Sequence, residues 1–442
     1  MKRSVLLFVI LVFFYGCVRE KSGNYKLKAG NPEFLHRAMK EITDRMVHDI
    51  FAPPVASRIY AYTSIAAYEA AVHQDAQFIS LAGQLHGLDS VPQPNPKLEY
   101  CFPLASVQAL MKVGKSMIFS EPELDSVHQQ MIEEFRSFGI PNDVFERSIG
   151  YGDKVAGEIL AWASKDNYKQ SRSLPKYVVE NDPAKWRPTP PAYMDAVEPH
   201  WNKIRTFVID SASQFTPEPP TPYSAVKSSK FYREADEVYQ IRLKLTEEER
   251  EIAGFWDCNP FMMNVSGHVM FATKKISPGG HWINITRVVC TMDSADFIHS
   301  AEAYARIAIS LNEAFVSCWD EKYRSKLVRP ETYINQYIDK DWTPLLQTPP
   351  FPEYTSGHSV ISNSAAVALT DLFGDNFAFI DSTEVEFALP PRKFTSFFAA
   401  AEEAAISRLY GGIHYRPAAE NGMKQGRQIG EFVLQHMMTR KK

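Results

Sequence analysis

The chain has 442 residues, with 48 Lys and Arg against 52 Asp and Glu, a net charge of −4, 45% apolar residues and 29 Pro against 21 Gly. So much apolar material at so low a net charge excludes a disordered chain and suffices for one large core or two smaller ones. The acidic balance excludes a typical nucleic-acid partner, because a protein that neutralises phosphates carries excess Lys and Arg.

Residues 1–17 read as a leader. Lys2 and Arg3 precede an apolar run from Val5 to Tyr15, shorter than the roughly 20 residues a bilayer span needs. The run ends in Phe14-Tyr15-Gly16-Cys17, a small residue just before a cysteine, as in a bacterial lipoprotein signal peptide; ordinary signal cleavage is the alternative. The expected product is an exported protein of the periplasm or outer membrane, touching the membrane only through a lipid on Cys17. Residues 18–30 then form a polar tether. The other four cysteines, Cys101, Cys258, Cys290 and Cys318, show no CxxC or Cys/His cluster, so a zinc site is not expected. They suit buried single thiols at least as readily as disulfides.

Past the tether, helical periodicity dominates. Residues 31–51 open on Asn31-Pro32, a cap followed by proline at the first helical position, and repeat apolar residues at helical spacing. Residues 53–72, 103–119, 121–138 and 142–164 continue the pattern, making 31–167 an N-terminal helical region. Prolines then recur from Pro175 to Pro222 within residues 168–226, a linker or surface wrap and the natural division of the chain. The last region, 227–442, carries helices over 228–245, 245–257, 281–291, 295–320, 358–373, 396–411 and 422–438, the second starting at a capping box of Thr246 and Glu249. Alternating strand patterns are scarce. The spacing predicts an all-α protein of two packed helical bundles.

Three stretches of the last region hold the reactive side chains. In the first, Trp319 and Lys322 lead to Arg329-Pro330; alone, a Lys and an Arg at that spacing read as a solvated basic helix face. The second is a proline-rich loop followed by Ser356-Gly357-His358 and a helix of small residues. Ser356 serves there as a helix cap, and the same geometry offers free backbone N–H groups and the positive helix end to a tetrahedral oxyanion. In the third, Ser407-Arg408 precedes Gly411-Gly412 and His414. On a continuous helix Arg408 and His414 would point about 120° apart, so reaching one ligand requires the chain to leave the helix at the glycine pair. Taken alone, His414 is a hydrogen-bonded loop histidine.

Together these stretches, from Trp319 to Glu420, resemble the signature of the vanadium-dependent haloperoxidases and type 2 phosphatidic-acid phosphatases: K-x6-RP, PSGH and SR-x3-G-x-H-x3-D. The resemblance implies that superfamily's two-bundle fold and a site for vanadate, which phosphate can also occupy. Lys322, Arg329 and Arg408 would supply three positive charges, with Ser356 and Gly357 completing the hydrogen bonds. In a haloperoxidase, His414 would bind the metal and His358 would move protons while peroxide oxidises halide to hypohalous acid. In an acid phosphatase, His414 would attack phosphorus in a phosphate ester and His358 would protonate the leaving oxygen. A lipoprotein that binds the anion without turnover is the non-enzymatic alternative. Thr355 replaces the proline of PSGH, and Ala418 replaces the final aspartate, leaving Glu420 as the nearest carboxylate to orient His414. Phe351 and Trp319 favour the haloperoxidase branch. Asp257 is a candidate partner of Arg408, with a plain helix-end aspartate near Asn259-Pro260 as the alternative, and His281 is expected to be structural rather than a ligand.

Overall fold

A computed structural model of the chain describes residues 24–260, 262–266 and 269–441. The leader, with Cys17 and the start of the tether, lies outside these residues. Two helical bundles share one continuous core. The first comprises α1 (Asn24–Ala29), α2 (Glu33–His48), α3 (Pro53–Ala71), α4 (Phe102–Lys115), α5 (Glu121–Ser137) and α6 (Asn142–Ala163), with a single turn, α7 (Tyr168–Ser171), behind it. The second comprises α8 (Lys230–Lys244), α9 (Glu247–Phe255), α10 (Pro278–Met292), α11 (Phe297–Ser325), α12 (Pro330–Tyr337), α13 (Gly357–Phe373), α14 (Phe397–Tyr410) and α15 (Arg416–His436). Strands β1 (Met262–Ser266) and β2 (Val269–Thr273) form an antiparallel ladder in the register Met262 to Thr273, and β3 (Phe379–Asp381) pairs with β4 (Arg392–Phe394).

The centre is set by α3 and α11, which pack on each other. Every residue of α3 is buried, and α11 is buried almost all round as far as Lys322; a helix without a solvated face belongs inside. Small residues bring α15 close to α13. A Cβ on Gly422, Gly426 or Gly430 would stand 3.1, 2.1 and 3.0 Å from the carbonyl oxygens of Ser356, Val360 and Ser364 respectively. This contact fixes the start of α13, where the Ser-Gly-His stretch lies.

Residues 168–226 form a wrap over both bundles. The N–H groups of Phe207, Val208 and Ile209 donate to the buried carboxylate of Glu313 at 2.8, 3.2 and 2.9 Å. The Trp186 N–H donates to the Lys326 carbonyl at 2.7 Å, and the Val197 N–H to that of Pro350 at 3.0 Å.

Several local expectations change. Residues 24–29, assigned to the tether, form α1, with Tyr25 buried and its hydroxyl donating to Glu99 at 2.7 Å. Helix α2 starts at Glu33, so Pro32 occupies the cap position and Asn31 accepts from the Glu33 N–H at 3.0 Å in the preceding turn. The Thr246–Glu249 capping box is present, and Cys101, Cys258, Cys290 and Cys318 are free and buried. No described helix is long and apolar enough to cross a membrane.

Candidate active site

Lys322 lies at the end of the buried run of α11. Its ammonium donates to the carbonyls of Pro352, Glu353 and Thr355 at 3.1, 3.1 and 2.6 Å, which uses all three of its protons. The charge therefore sits behind the 352–355 loop and binds it from below. Burial pulls the Lys322 pKa down to about 8. Arg329, the residue before α12, donates from Nε to the Phe351 carbonyl at 2.9 Å and from Nη1 to the Ile413 carbonyl at 2.8 Å. Burial lowers its pKa to about 10, so it stays cationic at neutral pH. Phe351 covers both cations, its ring centroid 5.1 Å from each, and packs on Trp319.

α14 ends as the glycine pair requires. Gly412 has φ +76°, a conformation costly for any residue with a Cβ, and the Leu346 side chain comes within 2.8 Å of where a Gly411 Cβ would stand. His414 is thereby turned inward. Its Nδ1 lies 2.8 Å from Glu353 Oε1, and its Nε2 lies 3.2 Å from Arg329 Nη1. The same Oε1 accepts the Tyr415 N–H at 3.0 Å, so it is the acceptor toward His414 as well, which assigns the proton to Nδ1 and leaves the Nε2 lone pair facing Arg329. Burial, then Arg329 and Lys322, hold the His414 pKa well below the ordinary value.

Glu353 is the residue that sequence reasoning missed. It is fully buried, also accepts the Tyr415 N–H at 3.0 Å, and burial pushes its pKa up to about 7. It fills the place left by Ala418, whereas Glu420 is exposed on α15 and does not reach His414. A lone acid between Pro352 and Tyr354, in an otherwise apolar loop beside Ser-Gly-His, was the available signal.

Ser356 caps α13 by accepting the Ser359 N–H at 3.4 Å, and the helix start presents Gly357 and His358 to a partly enclosed cavity of about 40 Å³. Arg408, His414, Phe351, Trp319, Phe315 and Ile361 complete much of its wall. The His358 ring is hydrogen-bonded to the Trp256 backbone; burial, then Arg408, hold its pKa well below the ordinary value. Arg408 donates to Ser407 Oγ at 2.9 Å and to the Ala253 carbonyl at 3.3 Å. The candidate Asp257–Arg408 ion pair is not formed: Asp257 lines the same cavity but pairs with Lys275 at 2.7 Å, acting on Arg408 only through space. His281 lies outside this wall, in a second buried cluster.

Comparison with known proteins decides the family. Residues 302–441 match the model of the VCPO second helical-bundle domain. The crystal structure of the first bacterial vanadium-dependent iodoperoxidase is 50% identical, covers 93% of this chain and 98% of that one, and superposes with a TM-score of 0.88. The chain belongs to the vanadium-dependent haloperoxidase family. Holo and apo structures of bacterial vanadium-dependent chloroperoxidases share the fold at 16% identity, with TM-scores of 0.66 and 0.65 over 88% and 87% of this chain and 94% and 95% of those. No curated protein sequence matches the chain significantly. The matched haloperoxidase domain contains the motif from Lys322 to His414; Asp257, Cys258 and His281 lie upstream of it.

Proposed function

We propose that the chain is a vanadate-dependent haloperoxidase that uses hydrogen peroxide to oxidise halide to hypohalous acid, with iodide as its halide. The observation that carries this reading is the state of His414: Glu353 holds Nδ1–H and leaves Nε2 unprotonated, its lone pair turned to Arg329 Nη1 3.2 Å away and available to a ligand that Arg329 also binds. Near-complete coverage at 50% identity to an iodoperoxidase supports the choice of halide.

The residues present fit an anionic tetrahedral group. Among the described residues, Arg329 Nη2 is a buried donor without a hydrogen-bond partner, a deficit of about 1–3 kcal/mol that a bound oxyanion offsets, and the equally unpartnered His358 Nε2 can accept from a protonated oxygen of such a group. Lys322, Arg329 and Arg408 leave an excess of positive charge around Glu353, and the first turn of α13 adds backbone N–H groups at its positive end. Arg329, Arg408, Ser356 and Gly357 would hold the oxygens, and His414 Nε2 the metal. When bound, vanadate supplies the Lewis acidity that activates hydrogen peroxide toward halide.

The chain's own contribution is orientation and proton transfer. Glu353 fixes the His414 tautomer, and Lys322 stiffens the loop that carries Glu353. Burial, and then neighbouring cations, keep His358 neutral; an anion beside Arg408 offsets the cations, so His358 can take up a proton at Nε2 and return it. Phe351, Trp319 and Phe315 keep water from the reacting atoms and offer a halide a polarisable apolar wall.

Phosphate has the same shape and charge, and we propose that it competes for the site. We also propose that residues 1–17 are a lipoprotein signal peptide and that lipidated Cys17 anchors the protein in the periplasm or at the outer membrane. Cys17→Ser should then release the chain from the membrane fraction; unchanged fractionation without lipid on the N-terminal peptide contradicts the anchor. The activity is tested by iodide, bromide and chloride oxidation with and without orthovanadate, beside hydrolysis of a generic phosphomonoester. Vanadate-dependent iodide oxidation is expected, and phosphoester hydrolysis without halide oxidation would overturn the reading.

A further inference from the structure

Cys258, His281 and Glu384 come from three distant segments: the turn after α9, the first turn of α10 and the turn after β3. They meet in a buried cluster that adjoins the active-site cavity through Cys258. His281 Nδ1 lies 3.0 Å from Glu384 Oε1 and 3.4 Å from Cys258 Sγ, and that sulfur lies 3.9 Å from the same Glu384 oxygen. Around a tetrahedral zinc ion, with bonds of about 2.0 Å to nitrogen and oxygen and about 2.3 Å to sulfur, neighbouring donors stand roughly 3.3–3.5 Å apart. The observed triangle brackets those separations.

The other side of the imidazole is built to match. His281 Nε2 lies 2.7 Å from Asp381 Oδ2 and 2.6 Å from Thr383 Oγ1, and Thr383 donates its N–H to Asp381 Oδ1 at 3.0 Å. A carboxylate on the far ring nitrogen is the arrangement that orients a metal-binding histidine and fixes its tautomer, here with the proton on Nε2 and the lone pair on Nδ1. Trp256 stacks on the same ring with centroids 4.6 Å apart. The cluster is also short of positive charge: among the described residues, neither Asp381 nor Glu384 pairs with a Lys or Arg.

We propose that Cys258 Sγ, His281 Nδ1 and Glu384 Oε1 bind a divalent metal ion, zinc by their donor set, with Asp381 as the outer carboxylate on His281. The thiolate and imidazole suit zinc better than the oxygen-seeking calcium or magnesium. Binding displaces the thiol proton of Cys258 to solvent, while His281 offers the Nδ1 lone pair directly. The ion would tie the Trp256–Cys258 strip, to which His358 is hydrogen-bonded, to α10 and the β3 turn. Sequence spacing gave no sign of it, because the ligands are 23 and 103 residues apart. The site is independent of the vanadate reading.

The test uses the full chain purified without chelator and dialysed against zinc, with metal measured by mass spectrometry and cobalt(II) as the optical probe. About one zinc per chain is expected, with a thiolate-to-cobalt charge-transfer band. Cys258→Ser should abolish the band and weaken zinc at least about tenfold; Asp381→Asn should keep the band and weaken zinc by about 10- to 100-fold. His414→Ala should bind zinc undiminished, which separates this site from the vanadate cradle. Helical circular dichroism verifies each variant's fold. A folded wild-type chain that takes up neither zinc nor cobalt overturns the proposal, as does Cys258→Ser with wild-type zinc affinity.

Discussion

His414 has one ring nitrogen committed to Glu353 and the other turned to Arg329, so its role depends on a carboxylate outside the motif. Glu353→Gln removes the charge that selects the Nδ1–H tautomer, and vanadate affinity should fall by about 10- to 100-fold in a reconstitution titration; unchanged affinity would rule Glu353 out as the orienting group. Alongside Glu353, whose pKa, raised by burial to about 7, falls in the same range, Lys322 contributes to the pH response. With its pKa lowered to about 8 by burial, it is cationic below that pH and neutral above it, so the cradle loses one positive charge as pH rises. Vanadate affinity measured between about pH 7 and about pH 9 should therefore fall, and fall less in Lys322→Arg, whose guanidinium keeps its charge. Equal falls in both proteins would detach the pH response from Lys322. The motif residues were legible because each lies in a short stretch with its own local signal: a cap, a glycine pair, a basic pair. Glu353 was not, because it reaches His414 through space from 61 positions earlier.

At the scale of elements, the glycines of α15 decide how closely it approaches α13. A Cβ at Gly426 would fall 2.1 Å from the Val360 carbonyl oxygen, so Gly426→Ala must push the two helices apart. Overpacking of this kind costs about 1–3 kcal/mol, seen as a lowered thermal midpoint. Gly422→Ala presses on Ser356 and Ser359 instead, and should weaken vanadate binding as well as the fold. A Gly426→Ala protein as stable as wild type would show that the contact is looser than described. The periodic helices were legible from their apolar spacing. The start of α10 was hidden because Ser277-Pro278-Gly279-Gly280 reads as a loop, although Ser277 caps the helix and Gly280 leaves room for the Tyr60 hydroxyl, 2.7 Å from its would-be Cβ. The turn before α12 was hidden likewise: Arg329 was read for its charge rather than as the residue before a proline at N1.

For the whole molecule, Glu313 of α11 is where the wrap is fastened to the second bundle. Glu313→Ala leaves the N–H groups of Phe207, Val208 and Ile209 without their acceptor, at about 1–3 kcal/mol for each buried group. Limited proteolysis should then cut first within residues 168–226, and a cleavage pattern like that of wild type would show that other contacts hold the wrap. Sequence identified this stretch as linker or wrap; the partners that make it a wrap, Glu313, Lys326 and Pro350, lie more than 100 residues away and carry no local mark. In the proposed reaction this scaffold presents His414 as a vanadate ligand and His358 as a proton carrier. Orthovanadate titration of wild type, His414→Ala and His358→Ala, followed by iodide oxidation at saturating vanadate, tests it directly. His414→Ala should lose most of its affinity, retaining only charge-assisted hydrogen bonds worth roughly 1.5–3 kcal/mol each. His358→Ala should bind vanadate nearly as wild type does but turn over about 10²- to 10⁴-fold more slowly. Loss of vanadate binding in His358→Ala, with binding and turnover intact in His414→Ala, would contradict the account.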